Sequence, residues 1–156
     1  MEPERRIKVL FVCTGNICRS PMAEAIFKDL VNQDGLSEKF LIASCATTDE
    51  ELNERIHPGT QEILRKNFLN FDPERRATQI QDNDYDKYDY ILSMDMKNFL
   101  RLKSSSKARL IGDFANEGSP KDIPDPYYTG DFDSVFQLLK ADCQNLLWFL
   151  REKEGI

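Results

Sequence analysis

The chain has 156 residues, of which 40% are apolar and 31% are charged. This length is that of one ordinary domain, and we expect a single domain over residues 1–156. The composition is too apolar for an intrinsically disordered protein. The 21 basic and 27 acidic residues give a net charge of −6, so a nucleic-acid partner is not expected, since such binding depends on neutralising phosphates.

No apolar run approaches the ~18 residues that a membrane-spanning helix needs, so no membrane partner is expected either. The apolar run 7–12 is too short for a signal sequence, and no small-residue cleavage site follows it. These features predict a cytoplasmic protein. In that compartment the four cysteines should remain thiols rather than form structural disulfides: Cys13, Cys18, Cys45 and Cys143.

Strand-like and helix-like segments alternate along the chain. Apolar runs with β-branched residues predict four strands: 7–12, 40–44, 88–93 and 108–111. Apolar residues at helical spacing predict three helices: 21–33, about 60–66 and about 131–153. Asp95 should cap a further helix, and the Gly- and Pro-rich segment 113–130 should be a long loop. The alternation predicts an α/β fold, a parallel sheet with helices on both faces, and a ligand site beyond the carboxyl ends of the strands.

A segment with several chemically useful side chains follows the first predicted strand. Its sequence is Cys13-Thr14-Gly15-Asn16-Ile17-Cys18-Arg19-Ser20-Pro21. Ser20 is a suitable N-cap and Pro21 suits the first helical position, while Gly15 and Asn16 tolerate positive φ in a tight loop. We expect inward-facing backbone N–H groups and the helix N-terminus to form a cradle for an oxyanion, with Arg19 as a bidentate donor.

Cys13 should lie at the floor of this cradle, where positive surroundings favour a nucleophilic thiolate. Ser20 is placed to donate a hydrogen bond to the sulfur, and the whole set suits attack on a phosphoryl group. The alternative is a buried, unreactive cysteine beside a surface arginine, and the strand–loop–helix context argues against it. A zinc site is not expected, because Cys13 and Cys18 lack a second Cys or His pair and His57 stands alone.

Transfer of a phosphoryl group to cysteine also needs a proton donor for the leaving oxygen. Asp125 lies between two prolines and is a candidate for this donor. Tyr127 and Tyr128 come directly after the second proline, and their rings are suited to pack against an aromatic substrate. For an isolated Asp-Pro pair, an acidic surface turn is the alternative interpretation.

Segments 12–21 and 125–128 resemble the low-molecular-weight protein tyrosine phosphatases, and the resemblance covers nearly the whole chain. It implies a four-stranded parallel sheet flanked by helices, with a phosphate-binding loop after the first strand. It also implies that Cys13 is the nucleophile that forms a phosphocysteine, that Arg19 binds the phosphoryl group, and that Asp125 is general acid and then general base. The implied phosphate-binding loop comprises Thr14, Gly15, Asn16, Ile17, Cys18 and Ser20.

The same resemblance implies further roles. Ser44 matches a family serine that supports Asn16, and Cys18 matches a second loop cysteine that can form a reversible disulfide with the nucleophile. The implied substrate is a phosphotyrosine-containing protein or a small aryl phosphate. Neither a metal nor an organic cofactor is expected, and the protein should be a monomer or a weak dimer.

The chain departs from the family pattern at the substrate wall, which is expected to comprise Tyr127, Tyr128, Asp49 and Glu50. The family usually has Ser-Ala-Gly-Thr after the second strand and then an aromatic residue, whereas segment 44–52 reads Ser-Cys-Ala-Thr-Thr-Asp-Glu-Glu-Leu. The acidic replacements should weaken phosphotyrosine affinity or repel acidic peptides. The family's usual His-x-Ala-Arg is replaced by Arg-Arg-Ala-Thr at 75–78, which should affect substrate preference more than chemistry.

Other functions remain open for this loop. Thioredoxin-linked arsenate reductases resemble it but need two neighbouring redox cysteines in the middle of the chain. Protein arginine phosphatases share Thr14, yet they have threonine in place of Ile17 and lack the paired tyrosines. A non-catalytic phosphate-binding module would need neither the thiol nor the acid. A redox sensor using Cys13 and Cys18 is compatible with catalysis.

Overall fold

The computed structural model describes residues 5–156 of the chain. Within them, four parallel strands form one sheet in the order β2-β1-β3-β4. The strands are β1 (Ile7–Cys13), β2 (Phe40–Ala46), β3 (Tyr90–Ser93) and β4 (Ala108–Leu110). The helices are α1 (Arg19–Gln33), α2 (Pro58–Lys66), α3 (Asp84–Lys87), α4 (Met96–Arg101), α5 (Pro126–Thr129) and α6 (Phe132–Glu154), with short 3₁₀ turns at Ser37–Lys39 and Ile111–Phe114.

The central strand β1 pairs with both β2 and β3, so its side chains alternate between two buried faces. Val9 and Phe11 point into the larger core, which also takes apolar residues of α1, α2 and α6. Leu10 and Val12 point into a smaller core that includes Tyr88, with Tyr85 of α3 packed against it. Helices therefore cover both faces of the sheet, and the predicted α/β fold is confirmed.

Several segments differ from the sequence prediction. Strand β3 begins only at Tyr90. Helix α1 begins at Arg19, so Ser20 lies inside its first turn, and the prediction of an N-cap is wrong. The reason is that the Ser20 hydroxyl lies 3.0 Å from the Cys13 sulfur and is engaged there. The predicted loop 113–130 contains the short helix α5, which Asp125 caps by accepting a hydrogen bond from the Tyr127 N–H at 3.1 Å.

All four cysteines are free thiols in this structure. Within residues 5–156, no helix combines the length and the apolar character required to cross a bilayer.

Helix α6 packs its apolar stripe against α1 and carries one buried carboxyl group in that face. Asp142 is only 1% exposed, and among residues 5–156 its Oδ2 atom has no hydrogen-bond partner. Burial raises the pKa of Asp142 from 3.8 to about 6. Between these two values the folded chain binds more protons than the unfolded chain, so the free energy of unfolding falls as the pH rises through that window.

Replacing this carboxyl group with an amide of the same shape should stabilise the protein at neutral pH. We expect Asp142→Asn to raise the free energy of unfolding by about 2–3 kcal/mol near pH 7.5, and to change it little at about pH 2, where the carboxyl is protonated in both states. Urea unfolding of both proteins at a series of pH values measures the difference. Glu152→Gln, at an exposed site on the same helix, is the control. A stability difference for Asp142→Asn that does not grow with pH would contradict the raised pKa.

Candidate active site

Residues 13–20 run from the last residue of β1 into the first turn of α1 and close around the sulfur of Cys13; they are called the cysteine loop below. The Cys13 Sγ atom lies 3.0 Å from the Ser20 hydroxyl. The backbone N–H groups of Asn16 and Ser20 donate to the same sulfur at 3.3 and 3.4 Å. The sulfur is thus bounded by one hydroxyl and by two backbone N–H groups that point at it.

Asn16 gives the cysteine loop its shape. Its φ of 61° lies in the left-handed region, and its side chain is completely buried. The predicted need for positive φ is thus confirmed at Asn16, whereas Gly15 does not adopt it. Gly15 instead provides space, because a methyl group there would lie only 2.9 Å from the Glu51 Cγ atom.

Arg75 holds the buried Asn16 side chain from outside the loop. Its Nη2 group donates to the Asn16 Oδ1 atom at 2.7 Å and to the Ser44 hydroxyl at 2.7 Å, while Nη1 donates to the Asn16 carbonyl at 3.1 Å. Ser44 also accepts from the Asn16 Nδ2 atom at 3.0 Å and donates to Glu24 at 2.6 Å. Ser44 therefore contacts Asn16 as the resemblance implied.

These contacts set the direction of the hydrogen bonds that reach the sulfur. An arginine can only donate, so the Asn16 oxygen must face Arg75 and the Asn16 nitrogen must face Ser20. That nitrogen donates to the Ser20 hydroxyl at 2.7 Å. The Ser20 hydrogen is then left free to point to Cys13, and the hydroxyl donates to the sulfur rather than accepting from it.

The cysteine loop also presents unused donors. Among residues 5–156, no acceptor bonds to the backbone N–H groups of Gly15, Ile17 and Cys18. Together with the start of α1, these groups form a concave set of donors of the size that an oxyanion fills. This arrangement agrees with the cradle expected from the sequence.

The Arg19 guanidinium lies under this cradle with only 2% of its surface exposed. Its Nη1 group donates to the Asp95 carboxylate at 2.7 Å and to the Ile123 carbonyl at 2.9 Å. Burial alone would lower the pKa of this guanidinium. The Cys13 sulfur and the carboxylates of Asp95 and Asp125 outweigh that effect, so the pKa of Arg19 is raised and its charge is secure.

Asp125 reaches the same pocket from the far end of the chain. Its Oδ2 atom lies 3.4 Å from the Arg19 Nη2 atom, while its Oδ1 atom caps α5. The segment before it is held by Ile123, whose N–H donates to the Met94 carbonyl at 2.8 Å. Because Ile123 also accepts from Arg19, the approach of Asp125 to the cysteine loop is fixed at two points.

One pocket collects most of the predicted residues. It is lined by Cys13, Thr14, Gly15, Ile17, Cys18, Arg19, Glu50, Glu51, Asp125, Tyr127 and Tyr128. The rings of the two tyrosines lie 5.1 Å apart in an edge-to-face arrangement at its rim. Asp49, which was expected in the substrate wall, is exposed and does not line the pocket, whereas its neighbour Glu51 does.

Two further lining residues have defined surroundings. The Thr14 hydroxyl lies 2.8 Å from the side-chain amide of Asn98. Burial is the main cause that raises the pKa of the Cys18 thiol, and the nearby Cys13 and Asp125 raise it further. Cys18 therefore stays protonated and is not a second thiolate in the pocket.

Sequence reasoning missed the functional contacts of Asp95 and Arg75. Asp95 was predicted only as a helix cap, which it is, since it accepts from the Asn98 N–H at 2.7 Å. Its position just after β3 was the available signal, because carboxyl ends of parallel strands meet at one edge. Arg75 was expected to affect substrate preference more than chemistry, and nothing in the local sequence indicates its contact with Asn16.

Comparison with known proteins agrees with this geometry. A sequence profile for the family "Low molecular weight phosphotyrosine protein phosphatase" matches residues 8–155. The chain is 42% identical to the low molecular weight protein-tyrosine-phosphatase YfkJ of Bacillus subtilis over 156 residues, covering 96% of this chain and 99% of that one. It is 41% identical to the low molecular weight phosphotyrosine protein phosphatase of Schizosaccharomyces pombe, covering 92% and 96%.

Solved structures give the same result. The crystal structure of YfkJ from Bacillus subtilis superposes with a TM-score of 0.92 at 41% identity, covering 97% of this chain and 99% of that one. The crystal structure of SP-PTP, a low molecular weight protein tyrosine phosphatase from Streptococcus pyogenes, superposes with a TM-score of 0.82 at 41% identity and covers 96% of both chains.

The contacts of Arg75 predict that it tunes the reactivity of a sulfur it does not touch. In Arg75→Met the Asn16 oxygen loses its charged donor and the hydrogen bonds that reach Cys13 lose their fixed direction. A hydrogen bond to a charged group contributes about 1.5–3 kcal/mol, so the alkylation rate of Cys13 by iodoacetamide near neutral pH should fall roughly tenfold. Mass spectrometry of the Cys13 peptide measures this rate.

Arg76→Met is the matched control, because the Arg76 side chain is exposed and, within residues 5–156, donates only to the Asn53 carbonyl, at 3.1 Å. Its alkylation rate should equal that of the unaltered protein. Equal rates in Arg75→Met and Arg76→Met, with both proteins folded, would show that Arg75 does not act on the sulfur.

Proposed function

Because the chain belongs to the low molecular weight phosphotyrosine protein phosphatase family, and is by that membership a protein-tyrosine phosphatase, we propose that it hydrolyses phosphotyrosine through a phosphocysteine on Cys13. Arg19 binds the phosphoryl group, and Asp125 serves first as general acid and then as general base. The whole chain acts as one catalytic domain, since the cysteine loop, the segment carrying Asp125 and α6 are all built around a single sheet.

One observation carries the proposal: a nucleophile, a fixed cation and a proton donor converge on one small pocket. The Cys13 sulfur receives three hydrogen bonds at its floor, and the Arg19 and Asp125 side chains lie 3.4 Å apart beside it. A module that only binds phosphate requires neither a thiol nor a carboxylic acid at this place. The combination supports phosphoryl transfer over binding alone.

In the first step the Cys13 thiolate attacks phosphorus in line with the bond to the tyrosine oxygen. The sulfur–phosphorus bond forms as the phosphorus–oxygen bond breaks, and Asp125 gives its proton to the departing phenolate oxygen. The N–H groups of the cysteine loop and Arg19 stabilise the equatorial oxygens of the transition state.

In the second step a water molecule attacks the phosphocysteine. The Asp125 carboxylate takes a proton from this water as its oxygen bonds to phosphorus. The sulfur–phosphorus bond then breaks, inorganic phosphate leaves, and Cys13 returns as a thiolate. The relay of hydrogen bonds through Ser20 stabilises that thiolate as a leaving group in this step, as it stabilises the nucleophile in the first.

The lining of the pocket supports an aryl substrate. Ile17 is buried at its side, and Tyr127 and Tyr128 stand 54% and 82% exposed at its rim, available to pack against a flat ring. The ring of Tyr127 is itself supported by His57, with the ring centres 5.9 Å apart. We therefore assign phosphotyrosine, in proteins or as a small aryl phosphate, in preference to phosphoarginine.

The chemistry also indicates the compartment. A reaction that depends on the Cys13 thiolate needs a reducing environment, and Cys13, Cys18, Cys45 and Cys143 are all free in the structure. We place the enzyme in the cytoplasm on that ground.

Substrates with different leaving groups distinguish the role of Cys13 from that of Asp125. Cys13→Ser should abolish turnover of every phosphate ester while the protein stays folded. Asp125→Asn keeps an oxygen to cap α5 but has no proton to give, so kcat/KM for phosphotyrosine should fall by roughly 10²–10⁴-fold. The loss should be much smaller for p-nitrophenyl phosphate, whose leaving group needs little protonation.

Steady-state kinetics with both substrates, in the presence of a chelator, test these expectations. Activity of Cys13→Ser near that of the unaltered enzyme would refute the covalent mechanism. Equal losses of kcat/KM for the two esters in Asp125→Asn would refute its role as the acid. Faster turnover of phosphoarginine than of phosphotyrosine by the unaltered enzyme would contradict the assigned substrate class.

A further inference from the structure

Two carboxylates, those of Glu50 and Glu51, lie at the mouth of the pocket and are called the acidic rim below. Within residues 5–156 neither side chain forms an ion pair with a lysine or arginine. The floor of the same pocket, in contrast, is built to hold an anion. The rim therefore places uncompensated negative charge where a phosphate ester must enter.

The acidic rim is held in a fixed position relative to the reacting sulfur. The Thr47 N–H donates to the Cys13 carbonyl at 2.9 Å. The Thr48 N–H and hydroxyl both donate to the Thr14 carbonyl, at 3.2 and 2.9 Å. The segment that leads into the acidic rim is thus bonded to the cysteine loop itself, so the backbone that carries Glu50 and Glu51 is anchored next to the phosphate-binding floor.

Contacts further along the segment reinforce this placement. The Glu51 side chain lies across Gly15, with no space for a methyl group between them. The Glu51 carbonyl accepts from the Glu54 N–H at 3.1 Å, and the Asn53 N–H donates to the Ala77 carbonyl at 3.0 Å. The rim is therefore a constructed part of the pocket wall rather than a loose exposed loop.

Charge at this position has opposite effects on different substrates. Two carboxylates beside a bound dianion repel it, and a substrate with further acidic groups near the phosphate is repelled more strongly. A substrate that carries positive charge next to its phosphotyrosine gains the attraction of the same carboxylates. Such rim charges act on the rate of encounter and on selectivity, and salt screens them.

We propose that the acidic rim selects phosphotyrosine segments with lysine or arginine beside the phosphorylated tyrosine, and rejects segments with acidic neighbours. This inference rests on the proposed phosphotyrosine hydrolysis and names the class of protein substrate. Glu50 and Glu51 are its specificity-determining residues, and their action is electrostatic.

The test uses three phosphotyrosine peptides that differ only in the flanking residues: lysine, alanine or glutamate on both sides. For the unaltered enzyme, kcat/KM should decrease in that order. Exposed ion pairs are individually weak, so two of them should separate the lysine and alanine peptides by roughly threefold to tenfold at low ionic strength. The separation should shrink when salt is added.

The decisive variant is the double substitution Glu50→Gln and Glu51→Gln, which removes both charges and keeps the side-chain size. It should lower kcat/KM for the lysine peptide and raise it for the glutamate peptide. A general defect in catalysis changes both values in the same direction, so this crossover is specific to charge. The double substitution Glu54→Gln and Glu62→Gln, at exposed sites outside the pocket lining, makes the same change in net charge and should leave the order of the peptides intact.

The outcomes separate the two proposals. If the enzyme hydrolyses free phosphotyrosine and all three peptides at similar kcat/KM, the charge selectivity is refuted and the proposed function stands. The charge selectivity is also refuted if the two double variants shift the peptides equally. If free phosphotyrosine and the peptides are not hydrolysed at all, the proposed function fails and this inference fails with it.

Discussion

The Cys13 sulfur lies in a tight loop that is held together by buried polar side chains, and these side chains need hydrogen-bond partners inside the protein. Asn16 meets this requirement by placing a completely buried amide, on a left-handed backbone, between Ser20, Ser44 and Arg75. Since buried polar groups without partners are costly, the loop closes around the sulfur only if this set is complete. The orientation of the sulfur, of the inward N–H groups and of α1 all depend on it.

The need for internal partners also explains how the site keeps the charged Arg19 guanidinium buried. Arg19 is almost without exposed surface, yet it carries a charge that Asp95 and Asp125 balance from two different segments of the chain. A buried cation with these partners is oriented before any substrate arrives, and that preorganisation makes electrostatic stabilisation of a transition state effective. The partners also connect the cysteine loop to the edge of the sheet and to the segment carrying Asp125, so one network fixes the nucleophile, the cation and the acid.

Local patterns predicted the strands, the α/β fold and the cysteine loop, because apolar periodicity and turn chemistry act over short stretches of sequence. Local patterns of this kind do not predict contacts between segments that are distant in the sequence. Arg75 reaches Asn16 across 59 positions and Asp95 reaches Arg19 across 76. The position of Asp95 after β3 indicates the edge of the sheet but not its partner, and nothing in the local sequence indicates the partner of Arg75. Ser20 was predicted to be an N-cap because serine is favoured at that position. Its hydroxyl instead contacts the Cys13 sulfur, and Ser20 lies inside the first turn of α1. At the substrate wall, the sequence identified the acidic stretch, whereas only the backbone path decides that Glu51 rather than Asp49 lines the pocket.

A direct search for the phosphocysteine tests the central claim of this account. In Asp125→Asn, p-nitrophenyl phosphate should still phosphorylate the enzyme, because its leaving group needs little protonation, whereas hydrolysis of the intermediate should lack its general base. Rapid acid quench followed by peptide mass spectrometry should then find close to one phosphate per enzyme on the Cys13 peptide, and none in Cys13→Ser. Release of nitrophenol without phosphate on Cys13, or phosphate on a different residue, would contradict the mechanism.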